Sequence, residues 1–349
     1  MPYLDLLYDM RLPDFADVAA DQLYAAMLEQ ATWADALGFD VIQFGEHHTA
    51  DDGYLPSTAT AAAAVAGRRT SVRLRVMAVA PFHHPIRLAE DLAVLDLLSG
   101  GRACPVVLAG YRPAEFELFA ARREDRRATV RRTVQVLQQA WTGQPFEFDG
   151  RMVRVTPTPV QSPRPPVLMG GSHASVGREA AQIADGFRAP GAPYEAFRAE
   201  CLRIGRPDPG PWPTQGPEFL FVSEDPDRTW QQIGHHVLHA IGSYAAWTIE
   251  GRGAASSRFP RATTVAELMQ SSAYRVVTPD ECVEIAHGIG PDGVLRLQPL
   301  MGGIHPDLAW ESLDLFAGQV LPRIEARRGR EPGVIPQAPP GTAQGRFGR

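Results

Sequence analysis

Gly38-Phe39-Asp40-Val41-Ile42-Gln43-Phe44-Gly45-Glu46-His47-His48 reads as a glycine stop, a short apolar strand and then three titratable side chains in a row. Upstream, Leu23, Met27, Ala34 and Leu37 fall on one helical face, so Gly38 ends a helix and the strand follows it directly. The unit repeats along the chain. Leu88, Leu92, Leu95 and Leu98 form a second stripe after Pro85 at a first helical position, and Val130, Val134, Leu137 and Trp141 form a third, closed by Gly143. Strands are expected at Tyr3–Leu7, Val41–Phe44, Leu74–Val79, Val106–Leu108, Val167–Met169, Gly186–Arg188, Phe219–Val222 and Val294–Leu297. Strands that alternate with helices form a parallel sheet, because parallel neighbours need crossovers. Eight such units favour closure, so the expected fold is α/β, a (β/α)8 TIM barrel.

Three stretches depart from the repeat. Phe146 to Val155 surrounds Asp149-Gly150, a type I′ turn signal between two alternating runs, and reads as a hairpin insertion near 146–155. Residues 250–275 open with Gly251, Gly253, Ser256 and Ser257 and read as a long excursion of the lid or binding-loop kind. Ala103-Cys104-Pro105 places a proline where the fourth strand should open, so that strand is expected to start at Pro105 or to bulge. The barrel is expected to occupy residues 1–326 as one domain, with 327–349, rich in Gly, Pro and Arg, as a flexible tail.

Composition excludes several classes. A net charge of −6 argues against nucleic-acid or anionic-membrane partners. All 34 basic residues are arginine, which rules out a Schiff-base lysine. Cys104, Cys201 and Cys282 are odd in number and far apart, so neither a disulfide framework nor zinc ligands can be read from them. No basic-then-apolar leader and no run of about 18 apolar residues is present, so a cytoplasmic location is expected.

Barrel active sites lie at the carboxyl ends of the strands, which is where Glu46, His47 and His48 fall. Imidazoles titrate near neutrality and serve as acid, base or donor to a developing anion, while Glu46 can orient one ring and fix its tautomer. Gly170-Gly171-Ser172-His173 follows the fifth strand and opens a helix. Glycines there let backbone approach a ligand, and free amides at a helix start attract phosphate. His235 and His239 stand one helical turn apart, but the glutamate of a metalloprotease motif is absent and no third ligand is evident. That helix, running on to Tyr244 and Trp247, reads instead as lining a substrate pocket or, equally, as plain packing. The arginine-rich stretch Arg122 to Arg132 reads as a solvated helix face from which Arg126 or Arg127 could reach a phosphate.

Several ordered runs resemble the bacterial-luciferase-like family of flavin-dependent oxidoreductases. They are Gly45 to His48, Pro81 to Asp91, Leu95 to Arg102, Ala109 to Phe116, Pro166 to Ser172, and Arg275 to Pro322 with Thr278-Pro279-Asp280-Glu281. The resemblance implies His47 as the active-site histidine beside the flavin, with His48 and Glu46 next to it. It implies cofactor contacts at Val76, Met77 and Ala78, where relatives often carry a non-prolyl cis peptide or a bulge, and phosphate contacts at Gly170, Gly171, Ser172 and His173. Beside these, Tyr111, His239 and Trp247 are the candidates for the substrate pocket. The resemblance further implies an FMN-dependent monooxygenase of a small organic substrate, with reduced FMN supplied by a separate flavin reductase, and a homodimer. The alternatives it leaves are hydride transfer with F420 and, on the same barrel, a non-catalytic flavin-binding protein. Two departures stand out: Ala109 and Ser172 occupy places where some relatives carry an arginine and a carboxylate near the phosphate.

Overall fold

A computed structural model describes residues 1–68, 70–252 and 262–324. Its strands are β1 (Tyr3–Tyr8), β2 (Val41–Phe44), β3 (Arg73–Val79), β4 (Ala103–Leu108), β5 (Phe146–Phe148), β6 (Arg151–Val153), β7 (Leu168–Met169), β8 (Gly186–Phe187), β9 (Phe219–Val222), β10 (Tyr274–Val277) and β11 (Val294–Leu297). The helices are α1 (Ala20–Ala36), α2 (Thr58–Ala66), α3 (Pro85–Ser99), α4 (Pro113–Leu118), α5 (Arg126–Ala140), α6 (Ala174–Ile183), α7 (Ala192–Arg203), α8 (Pro226–Arg252), α9 (Val265–Met269), α10 (Pro279–Ile289) and α11 (Pro306–Leu315).

Seven strands form one parallel sheet in the order β11-β1-β2-β3-β4-β7-β8. The last strand lies beside the first, as barrel closure requires and an open doubly wound sheet would not give. The segment entering β9 takes the other edge of β11, with Gly216 N–H donating to Val294 O (2.9 Å) and Val294 N–H to Thr214 O (2.8 Å). The expected TIM barrel is therefore the observed fold. Leu4, Leu6, Ile42, Leu74 and Val107 pack outward with Leu23, Met27, Leu88 and Leu92 of the surrounding helices. The alternate residues fill the inside in layers. Cys104, Val106 and Leu168 make an apolar layer with Met77 and Leu108 against it. A second layer is ionic: Asp5 Oδ2 accepts from Arg75 (3.2 Å) and from Arg296 Nη2 (2.8 Å), and Arg75 also donates to Gln43 (3.0 Å).

The hairpin is present as β5 and β6, paired antiparallel around Asp149 (φ 51°) and Gly150 (φ 73°). The expectation for the fourth strand needs correction, because β4 starts at Ala103 in register with β3 and carries Pro105 within it. Leu74 N–H donates to Arg102 O and Gly170 N–H to Val107 O, so odd residues of β4 turn their backbone toward β7. Pairing with β7 begins only at Val106, and the missing proline donor falls on an unpaired stretch of that edge. Part of the stretch expected as a long excursion near 250–275 is regular. Residues 250–252 finish α8, α9 is capped by Thr264 accepting from Glu267 N–H, and β10 pairs in parallel with β9. Positions 253–261 of that stretch, and the tail expected at 327–349, lie outside the described residues.

Helix α8 spans 27 residues, about 40 Å at 1.5 Å per residue. Its first half is locked into a satellite core, where Trp230, Ile233, Val237 and Ile241 pack with Phe219, Phe221, Tyr274 and Val276. His236 adds a polar anchor, its buried Nδ1 donating to Gly302 O (2.8 Å). Burial holds the His236 pKa down at about 4; the Gly302 bond opposes this, while neighbouring His235 and His239 add to it. An unfolded histidine titrates near about 6.5, so folding disfavours the protonated ring. Stability from this group is complete above about pH 6.5 and is lost as pH falls toward 4, at up to about 1.4 kcal/mol per pH unit. Urea midpoints measured from pH 7.5 to 4.5 are expected to show that slope, and His236→Asn is expected to lack it. Parallel profiles for the two proteins would refute the assignment.

Candidate active site

Past the carboxyl end of β2, Glu46 pairs with His48, while His47 turns to a carboxylate on α4. Glu115, buried on α4, accepts the His48 backbone N–H (2.9 Å) and holds His47 Nδ1 at 2.7 Å. The carboxylate at Nδ1 assigns the proton there, which turns Nε2 toward the barrel mouth as the working nitrogen. Tyr111 Oη lies 3.5 Å from Nε2. Glu46 serves a different purpose. Its Oε1 takes His48 Nε2 (2.9 Å) and His83 Nε2 (2.8 Å), and its Oε2 accepts the Val79 amide (2.9 Å). Burial pushes the Glu46 carboxyl up, but these three hydrogen bonds and the His83 charge outweigh it and hold the group below the usual carboxylate range. His83 is disfavoured as a cation by burial and favoured more strongly by Glu46, so its pKa is raised. Glu46 thus braces the ends of β2 and β3, and the residue that orients His47 is Glu115.

Around His47 stands an aromatic wall. The ring centroids of Trp247, Tyr54, Tyr111 and Tyr244 lie 4.8, 4.9, 5.6 and 6.0 Å from that of His47. Tyr54 and Tyr244 share a hydroxyl–hydroxyl bond of 2.8 Å. Arg11, just past β1 and fully buried, brings its guanidinium within 4.5–4.9 Å of the centroids of Tyr54, Tyr244 and Trp247. It donates to Asp52 (2.5 Å), which also receives His239 Nε2 (2.8 Å). Burial would raise the Asp52 carboxyl, yet the His239 bond and the Arg11 charge hold it down at about 2. Asp9, 3.5 Å from Arg11 Nε, moves the other way because desolvation exceeds the help it receives.

The residues expected from sequence divide accordingly. Glu46, His47, His48, Tyr111 and Trp247 meet at one mouth, whereas His239 is turned to Asp52 on the Arg11 side. Val76, Met77 and Ala78 lie on a regular strand without a cis peptide, and the expectation of one there is corrected. Met77 faces the barrel interior, while Val76 and Ala78 face the helices. Gly170 and Gly171 form a tight cradle, since an added Cβ would fall 2.5 Å from Leu108 and 2.7 Å from Val176 respectively. His173 is the N-cap of α6 but makes no side-chain cap bond, and Arg127 reaches Ser175 in the first turn (3.1 Å). The positive end of α6 and the Arg127 guanidinium beside its first turn fit a phosphate.

Sequence reading left Glu115, Arg11, Asp52, Tyr54 and His83 without roles. For Arg11 a signal existed, because Asp9 and Arg11 are polar groups just past a barrel strand, as Glu46 and His47 are. For Glu115 none did: its part depends on how α4 folds back over the mouth.

Comparison with known proteins agrees with this geometry. A family model described as luciferase-like monooxygenase matches residues 12–293. The oxygenase component of a flavin-dependent trigonelline monooxygenase from Acinetobacter baylyi is 31% identical over 154 residues, 42% of each chain. A 4-hydroxyprotoasukamycin monooxygenase from Streptomyces nodosus is 33% identical over 130 residues, 37% of this chain and 34% of the relative. These matches span less than half the length of those relatives. Among solved structures, monooxygenase RslO1 from Streptomyces bottropensis superposes with a TM-score of 0.70 at 25% identity, covering 92% of this chain and 99% of that one.

Proposed function

The chain belongs to the luciferase-like monooxygenase family, and we propose that it is a flavin-dependent monooxygenase of a small organic substrate, using reduced FMN delivered by a separate reductase. The observation that carries the reading is the Glu115–His47 pair at the barrel mouth, with Nε2 open toward an aromatic wall. When bound, reduced flavin supplies the electrons and the oxygen activation. The α6 amino end, Gly170, Gly171, Ser172 and Arg127 would hold its phosphate, and Met77 lies on the interior face below the mouth. His47 Nε2 would take or return the substrate proton, with Glu115 balancing the imidazolium charge. Tyr54, Tyr111, Tyr244 and Trp247 would exclude water, which strengthens every electrostatic contact inside.

Equilibrium titration with reduced and oxidised FMN and with F420, followed by oxygen uptake, tests this. Micromolar binding of reduced FMN with oxygen consumption above the autoxidation of free flavin is the expected result. Tight F420 binding without oxygen uptake would replace the reading with hydride transfer. Flavin binding with no turnover on any organic substrate would favour a binding protein.

A further inference from the structure

Thr49 follows the Glu46-His47-His48 run directly and holds a left-handed backbone, with φ at 50°. That region is rare for residues other than glycine, and branching at Cβ makes Thr49 a true outlier. Such a conformation persists only where the surroundings enforce it. The enforcing group is Arg112, the N-cap residue of α4. Its Nη1 donates to His48 O (2.6 Å) and its Nη2 to Thr49 O (3.1 Å). Those carbonyls belong to the two peptide planes that meet at the Thr49 Cα. A rigid, planar guanidinium across both of them fixes the φ and ψ of that residue. One turn further along α4, Glu115 accepts the His48 backbone N–H and holds His47 Nδ1. The first turn of α4 therefore grips three consecutive peptide planes, from His47 to Ala50. The fork is itself braced, since Arg112 Cζ lies 4.5 Å from the Trp247 ring centroid.

We propose that Arg112 is a positioning residue for His47. It holds the strained Thr49 turn, and that turn keeps the His48 amide and the His47 ring together on Glu115. Without the fork, Thr49 relaxes out of the left-handed region and the peptide planes beside it rotate. Glu115 then no longer meets both donors at once, and the His47 ring loses the partner that assigns its proton to Nδ1. The catalytic meaning of this inference rests on the reading of His47 as the acid–base group of a flavin monooxygenase.

The test uses the full chain with nitrogen-15-labelled histidine, at about pH 9, where imidazoles are neutral and their spectra report the tautomer. His47→Gln identifies the His47 signals. The parent is expected to show a single tautomer, with the proton on Nδ1. Arg112→Met removes both donors and is expected to give a mixture of the two tautomers. It should also lower single-turnover oxygenation by about 10- to 100-fold, with FMN affinity within about threefold of the parent. Adding Thr49→Gly should restore the single tautomer, because glycine takes a positive φ without strain. Adding Thr49→Val, which keeps the branched Cβ, should not. Arg112→Lys keeps the charge but not the fork and should behave as Arg112→Met does. Should Arg112→Met fail to fold, Arg112→Lys with and without Thr49→Gly makes the same comparison. An unchanged tautomer in the Arg112 variants would overturn the proposal. So would full recovery with lysine, or equal recovery with glycine and valine. Oxygen uptake with reduced FMN separates the two readings. A tautomer that follows Arg112 in a protein that consumes no oxygen sinks the monooxygenase and keeps the clamp. Oxygen uptake with a tautomer indifferent to Arg112 sinks only the clamp.

Discussion

His47→Ala is expected to lower single-turnover oxygenation by about 10²- to 10⁴-fold, the range for a positioned acid–base group, with flavin affinity little changed. The expectation comes from where the ring sits. Nδ1 is committed to Glu115 at 2.7 Å and Nε2 points into the mouth, while the proposed phosphate site lies apart from it, at the start of α6. A companion substitution tells orientation from charge. Glu115→Gln keeps an acceptor near Nδ1 and near the His48 amide but removes the negative charge that stabilises an imidazolium. It should lower the rate less than His47→Ala. Glu46→Gln acts through the strand ends and is expected to disturb folding and flavin affinity together. Rapid-mixing single-turnover kinetics, paired with flavin titration, would read these apart. If His47→Ala left turnover within about threefold of the parent, the assignment of His47 as the acid–base group would be wrong.

The second large effect is on stability. Asp5→Ala strips the ionic layer inside the barrel of the carboxylate to which Arg75, 2% exposed, donates. Removing one partner of a buried pair costs about 3–5 kcal/mol, because the remaining charge is desolvated and uncompensated. Against a typical domain stability of about 5–15 kcal/mol, that should be visible as a large fall in the urea midpoint and in soluble yield. Arg296, 18% exposed on its side chain, can turn toward water and should suffer less. The double variant Asp5→Leu/Arg75→Met removes both charges at similar volume and is expected to regain most of the loss. A drop below about 1 kcal/mol for Asp5→Ala would mean that the layer is hydrated and contributes little.

Much of this molecule was readable before its structure. The leucine stripe of α3, the alternation around Asp149-Gly150 and the apolar run Val41–Phe44 are local patterns, and local backbone preferences reproduce them. Errors arose where a local signal met a long-range condition. Pro105 reads as a strand breaker, yet it is accommodated because the neighbouring edge is unpaired at that point. The glycines and serines after residue 250 read as loop, but the pattern of Tyr274 to Val277 becomes a strand only because β9 offers it an edge. Glu46 could orient either neighbouring imidazole, and the chain's geometry just past β2 gives it His48 and leaves His47 to Glu115.

The sequence by itself determined that the chain is a barrel of βα units, that its chemistry lies at the carboxyl ends of the strands, and that Glu46, His47 and His48 stand there. These follow from periodicity and from the fixed polarity of a parallel barrel. Only the tertiary structure decided which carboxylate serves His47, since Glu115 is 68 residues away and arrives on a six-residue helix. It also decided that Arg11, Tyr54 and Trp247 share one wall, which joins the end of β1, the loop after β2 and the far end of α8. Strands report their own direction and burial through their residues. Which side chains meet above them depends on loops whose course no local pattern encodes, and the specificity of this site resides in those meetings.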